Sequence, residues 1–245
     1  MKKYFSTYLK FGGFPEIVKN PVTDELRQLY QDIIIKDIII RFGIKETRTF
    51  RELSHYLLSN IGTLYSYNNL SKLLGIKSPM SVKNYVEYLE DAFLFINIPK
   101  FDYSVKKQIK NDRKIYVTDT GIYNAVAFSF SQNRGKILEN LVLTELCRRR
   151  YDIFYHKQKY ECDFIIRKGN KISEIIQVTS DFSNPKTKER EIRGLTEAMD
   201  IYNLKNGLIL TYDEEIPEIK MGKNKIQVLP VWKWALKEMM NKDNF

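Results

Sequence analysis

A chain of 245 residues with 43% hydrophobic residues holds enough apolar material for one large core or two small ones. Its formal net charge of +10 attracts polyanions and speeds their encounter. No apolar run reaches the roughly 18 residues of a membrane span, because the longest, Ile33 to Ile40, is split by Lys36 and Asp37. The start Met1-Lys2-Lys3-Tyr4-Phe5 turns polar at once, so no signal peptide is visible and a cytoplasmic protein is expected.

In chain order, residues 5–20 read as a short helix ending at Gly12-Gly13, with Pro15 in the first turn of the next element. A second helix runs from Asp24, as N-cap, to Phe42. Its apolar residues Leu26, Leu29, Tyr30, Ile33, Ile34 and Ile38 are so dense that burial on more than one side is expected. This forms a helical lead-in over residues 1–44. Three short helices follow within residues 49–92. Thr49 and Glu52 match a capping box for the first, Gly75 ends the second, and Ser78-Pro79 opens the third. Two strand-like stretches come next, Phe93 to Pro99 and Lys114 to Thr118, joined by a basic loop from Lys106 to Arg113. Three helices and a hairpin are the plan of a winged helix, placed at residues 45–118. Its third helix would offer Lys77, Lys83 and Asn84 to nucleic acid, and its wing Lys106, Lys107 and Lys110.

Residues 119–134 read as a linker, and from residue 135 to 245 the pattern becomes α/β. A helix, Lys136 to Arg150, leads into strands at Asp152 to His156, Cys162 to Arg167 and Ile172 to Thr179. A polar helix from Pro185 to Tyr202 precedes strands at Gly207 to Thr211 and Ile226 to Val231. The fold expected is therefore α+β or α/β, a helical module followed by a mixed-sheet domain. Trp232 and Trp234 flank Lys233 at a strand end and read as core packing, and Arg148-Arg149-Arg150 as a helix C-terminus. Cys147 and Cys162 read as buried thiols, and His55 and His156 take no catalytic role, since neither sits at ligand spacing from a cysteine.

The segment from Glu161 to Thr179 carries the chemistry. It is a hairpin turned by Lys168-Gly169-Asn170, with Asp163 near the start of one strand and Gln177 and Thr179 two apart on the next. A carboxylate and a second oxygen donor on adjacent strands make a seat for Mg²⁺, which could activate water against a phosphodiester. Glu139, one turn into the preceding helix, would supply a third oxygen.

This arrangement is similar to the restriction-endonuclease-like superfamily, whose pattern is an Asp, a hairpin, then Asp or Glu, any residue, and Lys. The resemblance puts Asp163 at the Asp, Gln177 at the second acid, Thr179 at the Lys and Glu139 at the helical acid. It implies Asp163, Gln177 and Glu139 as catalytic residues and Mg²⁺ ligands. Glutamine keeps an oxygen for a metal, but threonine cannot supply the ammonium. Lys157, Lys159, Lys186 or Lys188 would have to replace it from another position.

A longer pattern runs through Phe11-Gly12-Gly13-Phe14-Pro15-Glu16, Asp37, Tyr88-Leu89-Glu90-Asp91-Ala92-Phe93-Leu94, Tyr116-Val117-Thr118-Asp119-Thr120-Gly121, Leu138-Glu139-Asn140, Leu210-Thr211-Tyr212-Asp213 and Val231-Trp232-Lys233-Trp234. Together these resemble the C-terminal half of prokaryotic AAA+-like ATPases, in which a P-loop module precedes a winged helix and a nuclease-like domain. No Gly-x-x-x-x-Gly-Lys-Ser/Thr occurs in this sequence, so the chain alone is not expected to hydrolyse ATP. A fragment, a split gene or a separate ATPase chain would each account for that. The resemblance implies a region that binds duplex DNA or a partner chain, including an ATPase module in cis or in trans. A Mg²⁺-dependent nuclease with a displaced lysine and a homo-oligomerisation region are the alternatives.

Overall fold

The computed structural model describes residues 2–128 and 133–242. It is a mixed α+β protein of two units. The helical unit is Lys3–Ile98 with Asn111–Asn133, and the sheet unit is Pro99–Lys110 with Arg134–Phe245 and the first two residues.

The helical unit begins with α1 (Lys2–Phe11) and α2 (Pro15–Lys19), the latter opened by its proline. In α3 (Thr23–Asp32) and the segment beyond it, Leu26, Tyr30, Ile34 and Ile38 are all buried at a strict spacing of four. Four residues overshoot a 3.6-residue turn, so such a stripe drifts round an α-helix. The chain widens to absorb the drift, and α3 runs straight into a π-helical segment, Ile33–Ile40. The fully buried residues therefore stay on one line, with Ile33, Ile35 and Ile39 half-buried beside it, and Ile40 is 69% exposed.

Next come α4 (Thr47–Ser59), β1 (Leu64–Tyr65), α5 (Tyr67–Leu73), α6 (Pro79–Asp91), β2 (Phe95–Pro99) and, after an excursion, β3 (Arg113–Val117). The three strands form one sheet in the order β1-β3-β2, with β1 antiparallel to β3. Ser66 and Ser78 accept from Asn69 N–H and Ser81 N–H and so fix the starts of α5 and α6. The capping box at Thr49 does not form. The N-cap is Glu46, three residues earlier, and Glu52 pairs with Arg48 at 3.0 Å instead.

Residues 119–126, expected as part of a linker, form a capped helix. They contain α8 (Thr120–Val126), in which Thr120, Gly121, Ile122, Tyr123 and Ala125 are buried, and α8 packs on α3. Asp119 caps it by accepting from Gly121 and Ile122 N–H at 2.8 and 3.2 Å, and its other oxygen accepts from Gly13 N–H at 2.7 Å. Thr120 Oγ1 donates to the Tyr8 carbonyl, and Asn124 donates to those of Leu9 and Lys10. The end of α1 thus gives its orphan carbonyls to α8. Glycine is required at both faces of this contact. A Cβ at Gly12, where φ is +76°, would lie 2.0 Å from Asp119 Oδ1, and one at Gly121 would lie 2.2 Å from the Phe11 carbonyl oxygen.

The basic segment before β3 is also not an open wing loop. It forms α7 (Val105–Lys110) within the sheet unit, where Lys100 bridges Tyr155 and Phe101 packs edge-on against Phe154 and Tyr202. Asp102 starts α7, its carboxylate accepting from Ser104 N–H and its carbonyl from Gln108 Nε2.

The rest of the sheet unit is α9 (Arg134–Arg148), β4 (Asp152–Lys157), β5 (Glu161–Lys168), β6 (Lys171–Thr179), α10 (Pro185–Ile201), β7 (Asn206–Thr211), β8 (Ile216–Met221), β9 (Asn224–Pro230) and α11 (Val231–Lys242). The sheet order is β4-β5-β6-β7-β9-β8. The pairs β6-β7 and β7-β9 are parallel and the others antiparallel. Helix α9 packs on β6, and α10 on β5, β6 and β7. Residues 162–166 and 175–179 are buried without alternation, as central strands covered on both faces should be. Asp163 therefore sits in the core, and not on a solvated side of its strand. Gly194 lets α10 approach β5, since a Cβ there would lie 2.1 Å from the Glu161 carbonyl oxygen. Trp232 and Trp234 open α11 where a strand end is expected. Trp234 is buried, with the Arg149 guanidinium 3.9 Å from its ring centre.

Candidate functional site

The β5–β6 hairpin brings Asp163 and Gln177 together. Asp163 N–H donates to Gln177 Oε1 at 3.1 Å, and Val178 N–H donates to Asp163 Oδ2 at 2.9 Å. On its other side Gln177 Nε2 donates to Glu191 Oε2 of α10 at 2.5 Å. Arg190 closes the row, giving Glu191 Oε1 two bonds from Nη2 and Nε at 2.5 and 3.1 Å. Asp163, Gln177, Thr179 and Glu191 are all buried, while the Arg190 side chain is 73% exposed and reaches Glu191 from the solvent side. Thr179 Oγ1 accepts from Asp181 N–H at 3.4 Å, a turn-forming role.

Glu139 is buried on α9, the helix that packs on β6. Among the described residues no three His, Cys, Asp or Glu are grouped so as to hold a metal ion. Mg²⁺ requires several oxygens in an octahedral array. Here the Gln177 oxygen faces a backbone donor and its amide faces Glu191, whose two oxygens are taken by Gln177 and Arg190. The residues present do not fit a divalent cation.

The lysines proposed to restore a cation are engaged at other places. Lys157 pairs with Glu161 at 3.3 Å, and Lys159 and Lys188 lie over the rings of Tyr160 and Phe182. Lys186 is exposed in the first turn of α10. Arg190 is the cation coupled to Asp163, which adds to the electrostatic hold of Glu191 on it. Arg148 and Arg149 both bind Glu145, at 2.7 and 2.8 Å.

Glu191 and Arg190 were not legible as site residues, because a polar helix reads as a solvated face. A signal was present: Glu191, Gly194, Leu195 and Ala198 share helical spacing, and all four are buried. Burial pushes the Glu191 carboxyl above the usual carboxylate range. Arg190 and Gln177 act against the shift, and the charge of Asp163 adds to it. A raised carboxyl pKa means that the folded chain binds this proton more tightly than the unfolded chain. Its contribution therefore weakens stability as pH rises from the ordinary glutamate value through the folded one. In urea unfolding measured from pH 4 to 7, wild type should lose stability relative to Glu191→Gln as pH rises across that window. Parallel profiles would contradict the assignment.

A second buried group joins α10 to β4. His156, 1% exposed, lies between the Tyr202 hydroxyl at 2.9 Å and Glu197 Oε1 at 3.3 Å. Burial lowers its pKa against the pull of Glu197, which keeps the ring neutral and structural. Cys147 and Cys162 are thiols outside any disulfide, and burial pushes the Cys147 thiol up to about 11, away from nucleophilic use.

In the helical unit, Lys77 precedes the cap of α6, Lys83 pairs with Glu87 at 3.5 Å and Asn84 is exposed. Lys106, Lys107 and Lys110 stand on α7 of the sheet unit, a helix with no buried residue. Lys107 reaches Asp102 at 4.0 Å.

Residues 2–133 match the family described as a domain of unknown function, DUF8612, and residues 134–234 match a second such domain, DUF4143. The chain belongs to the DUF8612 family. The boundary between the two matches falls where α9 begins. The DUF8612 region also includes α8 and its Asp119 cap, consistent with their packing in the helical unit. The chain is similar to an uncharacterized protein, MJ1544, of Methanocaldococcus jannaschii, at 37% identity over 96% of this chain and 56% of that protein. It is also similar to an uncharacterized protein of Haemophilus influenzae, at 31% identity over 96% of this chain and 58% of that one. The chain thus spans about half the length of the curated relatives it matches. No solved structure matches it. No helix among the described residues is long and apolar enough to cross a membrane.

Proposed function

We propose that this chain is the C-terminal binding region of an AAA+-like ATPase, in which a nuclease-like sheet unit serves as scaffold and basic surfaces contact duplex DNA. The observation that carries the reading is the closed row Asp163–Gln177–Glu191–Arg190. Asp163 N–H donates to Gln177, Gln177 and Arg190 both donate to Glu191, and Thr179 stands where a cleavage site would need an ammonium. The greater length of the relatives supports a region of a larger protein. The order α4, β1, α5, α6, β2, β3, with sheet order β1-β3-β2, supports a winged helix.

Charge favours α7 over α6 as the surface for DNA. Helix α6 has one lysine against Glu87, Glu90 and Asp91, and that lysine is paired. Helix α7 has Lys106, Lys107 and Lys110 and no acid. The test is a gel shift of duplex DNA by the purified chain across salt. Binding at low salt, without sequence preference and lost at higher salt, is expected. No shift at about 50 mM salt would refute DNA as the partner and favour a protein partner.

A further inference from the structure

We infer that Arg190 fills the place of a divalent cation: it neutralises the Asp163–Glu191 pair and, through Gln177, fastens α10 to β5 and β6 without metal. Two acids close together in a core need a counter-charge, because each destabilises the other. A metal is the common solution, but here Val178 N–H bonds Asp163 Oδ2, and Gln177 and Arg190 bond the two oxygens of Glu191. Gln177 is the hub. Its oxygen accepts a hydrogen bond from Asp163 N–H of β5, and its amide donates one to Glu191 of α10. A glutamate at this position could not do both, since it has no proton to offer Glu191. Glutamine in place of the second acid is thus what makes a metal-free closure possible. The Arg190 fork then covers the remaining Glu191 oxygen from the solvent side.

The position of Glu191 supports this. It lies on the buried face of α10, one turn from Gly194, where the helix comes nearest to β5. Loss of its partners would leave a carboxylate, 5% exposed in its side chain, beside Asp163. The row therefore acts as a fastening between helix and sheet, and one residue separates it from a metal-dependent site. This inference rests on the scaffold reading of the sheet unit, yet it is read out separately. Gel shifts report on the lysines, while melting with and without cation reports on the row alone.

The experiment is thermal melting of the full chain in chelator and in millimolar Mn²⁺, for wild type, Arg190→Gln and the double variant Arg190→Gln/Glu191→Gln. Arg190 is mostly exposed, so its replacement leaves the core packing in place. The wild-type midpoint should be the same in both conditions. Arg190→Gln should melt roughly 3–6 °C lower in chelator and recover part of that loss in Mn²⁺, with Na⁺ at matched ionic strength giving no recovery. The double variant should regain most of the loss without Mn²⁺, because the second buried charge is gone. A wild-type midpoint raised by Mn²⁺ would overturn the inference. So would an Arg190→Gln midpoint equal to wild type, or a double variant melting no higher than the single one.

Discussion

Asp119→Ala is expected to destabilise the helical unit by about 3 kcal/mol, the sum of a lost N-cap and a lost charge-assisted bond to a backbone N–H. Asp119 holds three backbone donors, two at the start of α8 and one at Gly13 beyond α1. With alanine, the Gly13 N–H loses its acceptor and the carbonyls of α1 lose the helix that caps them. Asp119→Asn keeps one oxygen and should lose less than half as much, because Gly121 and Ile122 share Oδ1 while Gly13 alone uses Oδ2. Gly12→Ala should approach the alanine variant in severity, since its Cβ would meet the same carboxylate. The two losses should then be less than additive in the double variant, as for residues in contact. Urea unfolding of the four proteins measures this. Additive losses, or an Asp119→Ala loss below about 1 kcal/mol, would contradict the joint.

Reversing Lys106, Lys107 and Lys110 to glutamate is expected to remove most of the affinity for duplex DNA. Three phosphate contacts give a salt slope near −2.7, so they account for about a 40-fold loss between 50 and 200 mM salt. The triple variant should bind weakly at low salt, with a slope flatter by about that amount, and equally for all sequences. Its fold should be unaffected, because α7 has no buried residue. Unchanged affinity and slope would move the contact to Lys77, Lys83 and Asn84 or exclude DNA from this surface.

Elements with strong local chemistry were legible in the sequence. Ser78-Pro79 opens α6, and Lys168-Gly169-Asn170 turns the hairpin, with Gly169 at φ +59°. The run from Pro185 forms α10 almost to the residue expected. What escaped reading depends on distant partners. Thr120-Gly121 resembles a break, yet α8 is a buried helix because Asp119 caps it and Gly121 admits the Phe11 carbonyl. Strand β8 carries Pro217 and charged residues on an exposed edge, where alternation is weak. Strand β1 is two residues long and exists through its pairing with β3.

The site was legible to the same depth. Spacing of two on one strand and a tight turn were enough to bring Asp163 and Gln177 together. They were not enough to show that Gln177 turns its oxygen to a backbone donor and its amide to α10, because Glu191 lies fourteen residues onward on a different element. A glutamine read alone is an oxygen donor for a metal. Read with Glu191 and Arg190, it is half of a closed bonding pattern.

The most direct test of the scaffold reading is plasmid nicking by the purified chain in Mg²⁺, alongside Asp163→Ala and the restored pair Gln177→Glu/Thr179→Lys. Absence of a positioned cation removes transition-state help of roughly 3–4 kcal/mol, about a few hundredfold in rate. The account predicts no cleavage by the native chain, at the level of the Asp163→Ala protein. Nicking by the native chain in Mg²⁺ that Asp163→Ala abolishes would contradict it, and would make Arg190 the cation to replace next.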